Sequence, residues 1–389
     1  MDDKKNILLS QLAKEITVGF VGPMASEYIN DGIPFLRSQN VIPFNLDLND
    51  VKFISEDFHK KLKKSVLKPG DVVVVRTGKP GASAVIPDSL IESNCSDLVI
   101  IRCGEKLDPH FISYFINSIN TTLIQSNLVG AVQQHFNVGA AKSIQIPNFN
   151  LERQHIISSV LMCLDNKIDL LHRQNKTLEQ LAETLFRQWF VEEAEESWNE
   201  VKLSSLGKII CGKTPSKKVA EYFGGEIPFI KIPDMHGKTF VFDSEDSLTE
   251  LGMNSQPNKT IPPKSICVSC IATVGLVVIN AKISQTNQQI NSIIPNKEHY
   301  RYFIYLKMLT MKDELLAMAS GGTATDNLNT GEFSNIDILT PEEEKLFNFH
   351  HEIEPMFDKI FENQIQIRTL TQLRDTLLPK LMSGEVRVC

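Results

Sequence analysis

The sequence predicts an α+β (mixed α/β) protein made of two tandem copies of one unit, each copy ending in a long helix. The first observation is an internal repeat, because residues 32–37 (GIPFLR) return as residues 226–231 (EIPFIK), 194 positions later. The second is that short β-type runs alternate with helical patterns in the front part of each copy. The third is a heptad spacing of apolar residues in the back part.

The repeat extends along the whole chain with a small change of offset. At 194 positions Leu12-Ala13 lies over Leu206-Gly207, whereas residues 130–146 lie over residues 322–338 at an offset of 192. We therefore expect a pseudo-two-fold internal repeat whose length difference lies in the front domains. The predicted segments are a first front domain (1–150), a first helix (151–198), a second front domain (199–340) and a second helix (341–389).

The front domains carry the mixed pattern. Residues 71–75 (DVVVV) and 265–268 (SICV) are strand-like, and residues 109–116 and 300–311 follow a helical period. Turn residues bound these runs, which is typical of an α+β domain with polar loops.

The back segments each follow alternating steps of three and four residues. A helix of about 40 residues is roughly 60 Å long, and a two-fold relation between the copies predicts that the two helices pair antiparallel as a coiled coil. The alternative is that each helix packs on its own domain. The predicted seam is Ile157, Leu161, Leu164, Ile168, Leu171, Asn175, Leu178, Ala182, Leu185 and Trp189 in the first copy, and Phe349, Ile353, Met356, Ile360, Asn363, Ile367, Leu370, Arg374, Leu377 and Leu381 in the second.

Two features of the helices lead to sharper expectations. Asn175 and Asn363 would face each other across the seam and fix its register. Pro355 and Pro379 interrupt the second helical pattern, so we expect a kink or a late helix start near the first and a terminus close to the second.

Composition gives an ordinary globular protein with 42% hydrophobic and 22% charged residues and a net charge of −7. No leader pattern and no run of about 20 apolar residues is present, so we expect a cytoplasmic protein that does not span a membrane. Seven cysteines without a framework spacing agree with reduced thiols. Cys267 and Cys270 form a single CxxC, for which buried thiols are favoured over a metal or redox site.

One segment matches the consensus sequence of a catalytic motif. Residues Gly207–Thr214 (GKIICGKT) fit the P-loop pattern, which requires a preceding buried strand and a helix opening at the Lys-Thr pair. Neither is predicted here, so a P-loop nucleotide hydrolase is the enzyme alternative, and the chain itself is expected to be non-catalytic.

Polar loops between the strand patterns combine phosphate ligands with side chains that can read base edges. Arg37 offers a guanidinium, and Gln39 or Asn40 could pair with adenine. Ordinary surface polarity is the alternative for each residue taken singly. The candidate DNA-contacting residues are Arg37, Ser38, Gln39, Asn40, Arg76, Thr77, Lys79, Gln133, Gln134 and His135 in the first copy, and Lys213, Thr214, Ser216, Lys217, Lys231, Asp234, Thr273, Thr325 and Asn327 in the second.

The chain resembles, over its full length, the specificity subunit of type I restriction-modification enzymes. The resemblance rests on the opening segments 212–230 and 21–40, on residues 134–147 (QHFNVGAAKSIQIP), and on residues 377–385 (LLPKLMSGE) at the end of the second helix. Together these matches are far more specific than any one alone.

The resemblance implies two target-recognition domains that each read one half of a split double-stranded DNA target, spaced by the antiparallel coiled coil. It implies methylation subunits that bind S-adenosylmethionine and restriction subunits that use ATP and Mg²⁺ as partners, with no cofactor in this chain. A coiled-coil scaffold without DNA binding remains the third alternative, because the chain as a whole is acidic, with a net charge of −7.

Overall fold

The computed structural model describes residues 6–127, 136–320 and 327–386. They divide into two compact units. The first unit comprises the chain up to Asp169 and again from Arg368 onward, and the second comprises Leu170–Ile367. Each unit therefore contains one front domain and a segment of both long helices.

The first unit contains a four-stranded sheet of order β10-β9-β12-β2 and a five-stranded sheet of order β3-β7-β4-β11-β8. The pairs β1-β13 and β5-β6 are separate two-stranded sheets. Its strands are β1 (Asn6–Leu8), β2 (Glu15–Val18), β3 (Tyr28–Ile29), β4 (Ile33–Leu36), β5 (Val41–Ile42), β6 (Asn45–Leu46), β7 (Lys52–Ile54), β8 (Val66–Leu67), β9 (Val72–Val75), β10 (Ser83–Val85), β11 (Ser93–Cys95), β12 (Leu98–Arg102) and β13 (Gln145–Pro147).

The second unit contains a five-stranded sheet of order β15-β22-β19-β20-β17, a three-stranded sheet of order β18-β16-β21 and the pair β14-β23. Its strands are β14 (Asn199–Lys202), β15 (Gly207–Cys211), β16 (Phe223–Ile230), β17 (Phe240–Val241), β18 (Ser247–Leu248), β19 (Ile266–Ser269), β20 (Val277–Asn280), β21 (Gln285–Thr286), β22 (Ile290–Pro295) and β23 (Asp337–Thr340).

The internal repeat is confirmed by strand register. Ile7 lies opposite Ile146 in the first unit, and their repeat partners Val201 and Ile338 lie opposite each other in the second. Counterpart strands β10 and β20 are 194 positions apart, β11 and β21 are 191 apart, and β12 and β22 are 192 apart. The length differences therefore lie in the loops before and after β11 and β21, inside the front domains as predicted.

The helices include the two long ones that the heptads predict. They are α1 (Leu9–Leu12), α2 (Glu56–Lys61), α3 (Pro109–Asn127), α4 (Val138–Ser143), α5 (Leu151–Arg187), α6 (Leu203–Leu206), α7 (Ile232–Met235), α8 (Glu250–Asn254), α9 (Arg301–Thr310), α10 (Lys312–Ala319), α11 (Thr330–Ser334) and α12 (Glu343–Ser383). A π-helical turn (Gln188–Glu192) follows α5. All predicted seam residues of α5 and α12 are buried or half-buried.

Within each unit the segments of α5 and α12 run antiparallel and pack on each other. In the first unit Arg374 donates to Asp165 (Nη1–Oδ1, 2.8 Å). In the second unit, Phe186 and Phe349 have ring centroids 6.1 Å apart, and the Asn175–Asn363 contact lies further along the helices.

The helix segments also belong to the core of the front domain beside them. Phe190, which follows α5, packs against both Phe349 of α12 and Phe303 of α9, with centroids 4.6 and 4.9 Å apart. In the first unit, Leu161 and Leu381 lie in one apolar cluster with Phe111. Both expectations for the helices therefore hold. Each seam packs against the other helix, as in a coiled coil, and also against the front domain of its own unit.

The late helix start expected near Pro355 is wrong. Helix α12 begins at Glu343, the repeat partner of the first residue of α5, and continues through Pro355 and Pro379 to Ser383. Both prolines are exposed, so each ring faces away from the packed side, and burial of neighbours such as Ile353 and Phe357 stabilises the helix against the lost backbone hydrogen bond. The terminus does lie close to Pro379.

Candidate nucleic-acid interface

In the first unit the loop after β4 carries four of the predicted DNA-contacting residues, and two of them, Arg37 and Gln39, bind one carboxylate. Asp50 accepts hydrogen bonds from Arg37 Nη2 (3.0 Å), Gln39 Nε2 (2.9 Å) and Lys52 Nζ (2.9 Å). The Lys52 ammonium and the Arg37 guanidinium lower the pKa of the Asp50 carboxyl. Three donors that could face DNA are thus held in one exposed cluster.

A second carboxylate joins this loop to the turn after β9. Asp97 forms an ion pair with Arg76 (Nη1–Oδ1, 3.3 Å) and accepts from the Thr77 hydroxyl, while its main-chain carbonyl accepts from Ser38 Oγ (3.3 Å). Lys79 is exposed at the tip of the same turn. The structure therefore brings the 37–40 loop and the 76–79 turn together, although about 40 residues separate them in sequence.

Asn40 has a different place from its neighbours. Its side chain accepts from the Arg37 N–H (3.0 Å) and donates to the carbonyls of Asp47 (2.9 Å) and Asp50 (3.4 Å), and the residue is only 2% exposed. Its amide is therefore engaged in holding the loop.

In the second unit the loop after β16 repeats this arrangement with other side chains. Asp234, the repeat partner of Asn40, accepts from the Lys231 N–H (2.9 Å) and from the Glu245 N–H (2.9 Å), and is 7% exposed. The Lys231 ammonium forms an ion pair with Asp246. Lys231 is thus the half-exposed cation of this loop, and Asp234 is its buried support.

Other predicted residues of the second unit meet at the loop between β21 and β22. Gln288 accepts from the Thr214 hydroxyl (2.9 Å), and Gln289 accepts from the Cys270 N–H (2.8 Å) through its carbonyl. Exposed Thr273 lies in the turn that begins at Cys270, and exposed Asn327 forms an isolated bridge with Ile271.

The segment that follows β15 is also exposed. The Lys213 backbone is fixed, since its N–H donates to Thr286 (2.9 Å) and its carbonyl accepts from Gln256 (2.6 Å). The side chains of Lys213, Ser216 and Lys217 are exposed to solvent. This segment therefore presents two cations beside the β21–β22 loop.

The same backbone frame carries both sets of side chains. Phe136 donates its N–H to the Arg76 carbonyl (3.2 Å), and the repeat partner of this bond runs from Leu328 to Cys270 (2.9 Å). Similarly, the bond from Ser96 to Leu36 (3.0 Å) recurs from Asn287 to Ile230 (3.2 Å). Two domains with one frame and different exposed polar groups are suited to reading two different sequences.

The P-loop alternative is contradicted by the second unit. Gly207–Cys211 is strand β15, paired antiparallel with β22, rather than a phosphate-cradling loop, and no helix begins between Lys213 and Ser216. Gly212 is required because its backbone passes close to Thr286 and Asn287, where a Cβ atom would clash. The motif match is therefore accidental.

Four predicted residues cannot be placed. Gln133, Gln134, His135 and Thr325 lie outside the described residues.

Asp50, Asp97, Gln288 and Asp246 were missed by sequence reasoning. Each contacts a predicted residue through pairing between distant segments, and a lone acidic residue or amide in a loop gives no signal of that pairing. Only Asp97 has a local sequence signal, since an Asp between two strand patterns favours a tight turn. The structure places a tight turn there, with a positive φ of 53° at Asp97.

The two thiols of the CxxC pair are buried, as predicted. Cys267 and Cys270 are buried, and burial raises the pKa of their thiols to about 12 and about 11. Within the described ranges, no group of three or more His, Cys, Asp or Glu side chains could hold a metal ion. None of the helices described there has the length and apolar character that a membrane crossing needs.

Comparison with known proteins agrees with this two-domain architecture. The family model of the type I restriction modification DNA specificity domain matches twice, at residues 19–180 and 195–375. The HindI specificity subunit of Haemophilus influenzae is 34% identical, with 96% of this chain and 99% of that protein covered. The MjaIX specificity subunit of Methanocaldococcus jannaschii is 28% identical over 93% of this chain and 88% of that protein.

A solved structure has the same fold. The crystal structure of the S subunit of a type I restriction-modification system from M. genitalium superposes with a TM-score of 0.61 at 15% identity, covering 97% of this chain and 96% of that one. A protein with two such domains in one chain belongs to the class of proteins with two tandem DNA specificity domains. The chain belongs to the family of type I restriction-modification specificity subunits.

Proposed function

We propose that this chain is the sequence-specific DNA-recognition subunit of a type I restriction-modification complex, and that each unit reads one half of a split target. The observation that carries the proposal is the repeated frame with different solvent-accessible polar groups, some exposed and some, such as Arg37 and Arg76, half-buried. Arg37, Gln39 and Arg76 supply the donors in the first unit, and Lys231, Lys213 and Thr273 do so in the second.

The chemistry of the exposed groups suits double-stranded DNA. A guanidinium can bind guanine in two-pronged fashion, and lysines bind phosphate. Asn40 and Asp234 act in this proposal as loop supports rather than as base readers, because both side chains are buried and engaged.

Partners complete the activity in this proposal. Methylation subunits with S-adenosylmethionine and restriction subunits with ATP and Mg²⁺ assemble on this chain, which is itself non-catalytic and holds no cofactor. Since its ligand is double-stranded DNA, we place it in the cytoplasm.

The test uses the chain assembled with its methylation subunit in the source cell. Mapping of modified bases first gives both half-sites and their spacing. Arg37→Ala should then lower discrimination at one half-site about tenfold or more, because a two-pronged base contact contributes roughly 1–3 kcal/mol. Lys231→Ala should affect only the other half-site.

Matched controls lie on the outer helix faces, where Lys167→Ala and Lys359→Ala remove exposed ammonium groups from the first and second unit. Both should leave the target unchanged. Equal weakening of both half-sites by Arg37→Ala and by Lys231→Ala would contradict the assignment of one unit to one half.

A further inference from the structure

In each unit the cation proposed to read DNA, Arg37 or Lys231, binds a carboxylate that precedes the neighbouring strand, but the two carboxylates occupy different positions of the repeat. Asp50 precedes β7 and binds Arg37, and Asp246 precedes β18 and binds Lys231. Strands β7 and β18 are counterparts, since β7 pairs with β4 and β18 pairs with β16. The repeat partner of Asp246 is however Lys52, not Asp50. The two units thus share the arrangement without sharing the residue.

These carboxylates are not buried structural anchors. The Asp50 side chain is 61% exposed and that of Asp246 is 43% exposed, whereas the Arg37 and Lys231 side chains that they bind are 20% and 30% exposed. An exposed ion pair contributes little to stability. An exposed carboxylate beside a DNA-binding cation also competes with phosphate for that cation, so it disfavours complexes in which the cation binds only a phosphate.

We infer that Asp50 and Asp246 are specificity-determining positioning residues, each of which restrains the reading cation of its own half-site and suppresses phosphate binding by that cation. This inference rests on the proposed function of the two units. Arg37 held by Asp50 gains less from a phosphate than a free guanidinium would, since the carboxylate, which it shares with Lys52, already offsets part of its charge. A base edge with two correctly placed acceptors can bind the guanidinium in two-pronged fashion. Such a base can therefore take the place of the carboxylate or bind beside it. Discrimination then increases because the wrong contact is made unfavourable.

The test compares three duplexes bound to the complex of the full chain with its methylation subunit, at one fixed salt concentration. One duplex carries the mapped target, one has a single changed base pair in the first half-site, and one has a change in the second. Asp50→Asn should tighten binding of the first altered duplex about tenfold, and should change binding of the target and of the second altered duplex by less than about twofold. Asp246→Asn should act in the same way on the other half-site.

A double variant separates restraint of Arg37 from a general loss of negative charge. In an Arg37→Ala background, Asp50→Asn should have a much smaller effect on the first half-site, because Arg37 is gone and only Lys52 and Gln39 still contact position 50. In the chain with Arg37 present, Asp50→Glu keeps the negative charge and should therefore retain discrimination at the first half-site. Asp88→Asn removes an exposed carboxylate elsewhere in the first unit and should leave all three affinities unchanged.

The outcomes are distinguishable. If Asp50→Asn tightens both altered duplexes equally, or acts equally with and without Arg37, the inference is overturned, since only bulk charge is then involved. If the unaltered complex itself fails to discriminate either half-site, the proposed function fails instead. Retained reading of the second half-site shows that the Asp50→Asn chain is folded and assembled.

Discussion

Asn363 of α12 donates a hydrogen bond from its side-chain amide to the Asn175 side-chain carbonyl of α5, with 2.9 Å between Nδ2 and Oδ1. Both residues are buried in the second unit, at 0% and 6% exposure. The predicted contact across the seam is present, and its role in fixing register remains a prediction. The Asn363 side-chain oxygen lacks a hydrogen-bond partner in the described part of the chain, so the pair is better suited to specifying register than to stabilising the helices.

Removing one asparagine should therefore cost more than removing both. We expect Asn363→Leu to lower the free energy of unfolding of the second unit by about 1–3 kcal/mol, because the Asn175 amide is left buried and unpaired. The double change to leucine at both positions should recover most of the loss. Urea unfolding of the full chain measures the effect, with exposed Asn166→Leu as the control.

Register is read separately, from the complex with the methylation subunit. The double leucine variant should methylate targets with more than one gap length, since apolar seams permit shifted pairings. A single retained gap length would show that the asparagines do not set register.

The helices and the candidate interface differ in how far the sequence could predict them. Heptads and the Asn175–Asn363 contact follow from local periodicity and from the repeat offset, and both are present. The convergence at Asp97 depends on pairing of strands that lie far apart in the chain, which residue spacing does not encode. Asn40 and Asp234 have the right chemistry for DNA, but whether a loop side chain points outward or into its own loop depends on the tertiary fold.

Lys213→Ala should weaken DNA binding without any effect on nucleotide binding. The side chain is exposed and the surrounding backbone is a strand end, so the ammonium is available for phosphate, but residues 207–214 form no phosphate-cradling loop. Loss of one phosphate contact should reduce the slope of log affinity against log salt by about one. Fluorescence anisotropy over a salt series measures this, with Lys359→Ala as the control. Loss of ATP binding in the Lys213→Ala chain would contradict the strand assignment.

The thiols should react in the order of their exposure. Cys163 is exposed and Cys211 is half-buried, whereas Cys95, Cys103 and Cys267 are buried. In a Cys389→Ser background a disulfide reagent at pH 8 should label Cys163 first and Cys211 more slowly. A thiol with a pKa near 12 should react more than about a thousandfold more slowly. Cys163→Ser should remove the fast phase, and fast labelling of Cys267 in the native chain would show that the core of the second unit opens.

Glu179→Gln should stabilise the second unit at neutral pH. Burial raises the pKa of the Glu179 carboxyl, the Thr239 hydroxyl that donates to it acts in the opposite direction, and Glu183 adds a smaller increase. The pKa of the Glu179 carboxyl is therefore higher in the folded chain than in the unfolded chain. The contribution of the neutral carboxyl to folding stability is fully present below the unfolded pKa. It is lost as the pH rises through the folded pKa.

The variant keeps an acceptor for Thr239 and has no charge to desolvate. Its advantage over the unaltered chain should therefore appear at pH 7 to 8 and disappear towards pH 4. Urea midpoints across this range measure the difference, and exposed Glu352→Gln should show no such trend. A pH-independent difference would mean that packing, not ionisation, separates the two chains.

Lengthening both long helices together should lengthen the gap between the half-sites. Seven residues inserted into α5 alone would break its pairing with α12 in the second unit, where Phe186 lies against Phe349. Matched heptads after Asp169 and after Ile367 avoid this. Both insertions fall between the Asp165–Arg374 pair of the first unit and the Asn175–Asn363 pair of the second. The seam phase and the pairing within each unit are then kept.

One heptad adds about 10 Å of helix, which corresponds to about three base pairs of B-DNA. Modified-base mapping with the doubly extended chain should show both original half-sites at the longer spacing. The chain extended in α5 alone is the control, and it should lose methylation, since the helices no longer pair. An unchanged gap in the doubly extended chain would contradict the assignment of spacing to these helices.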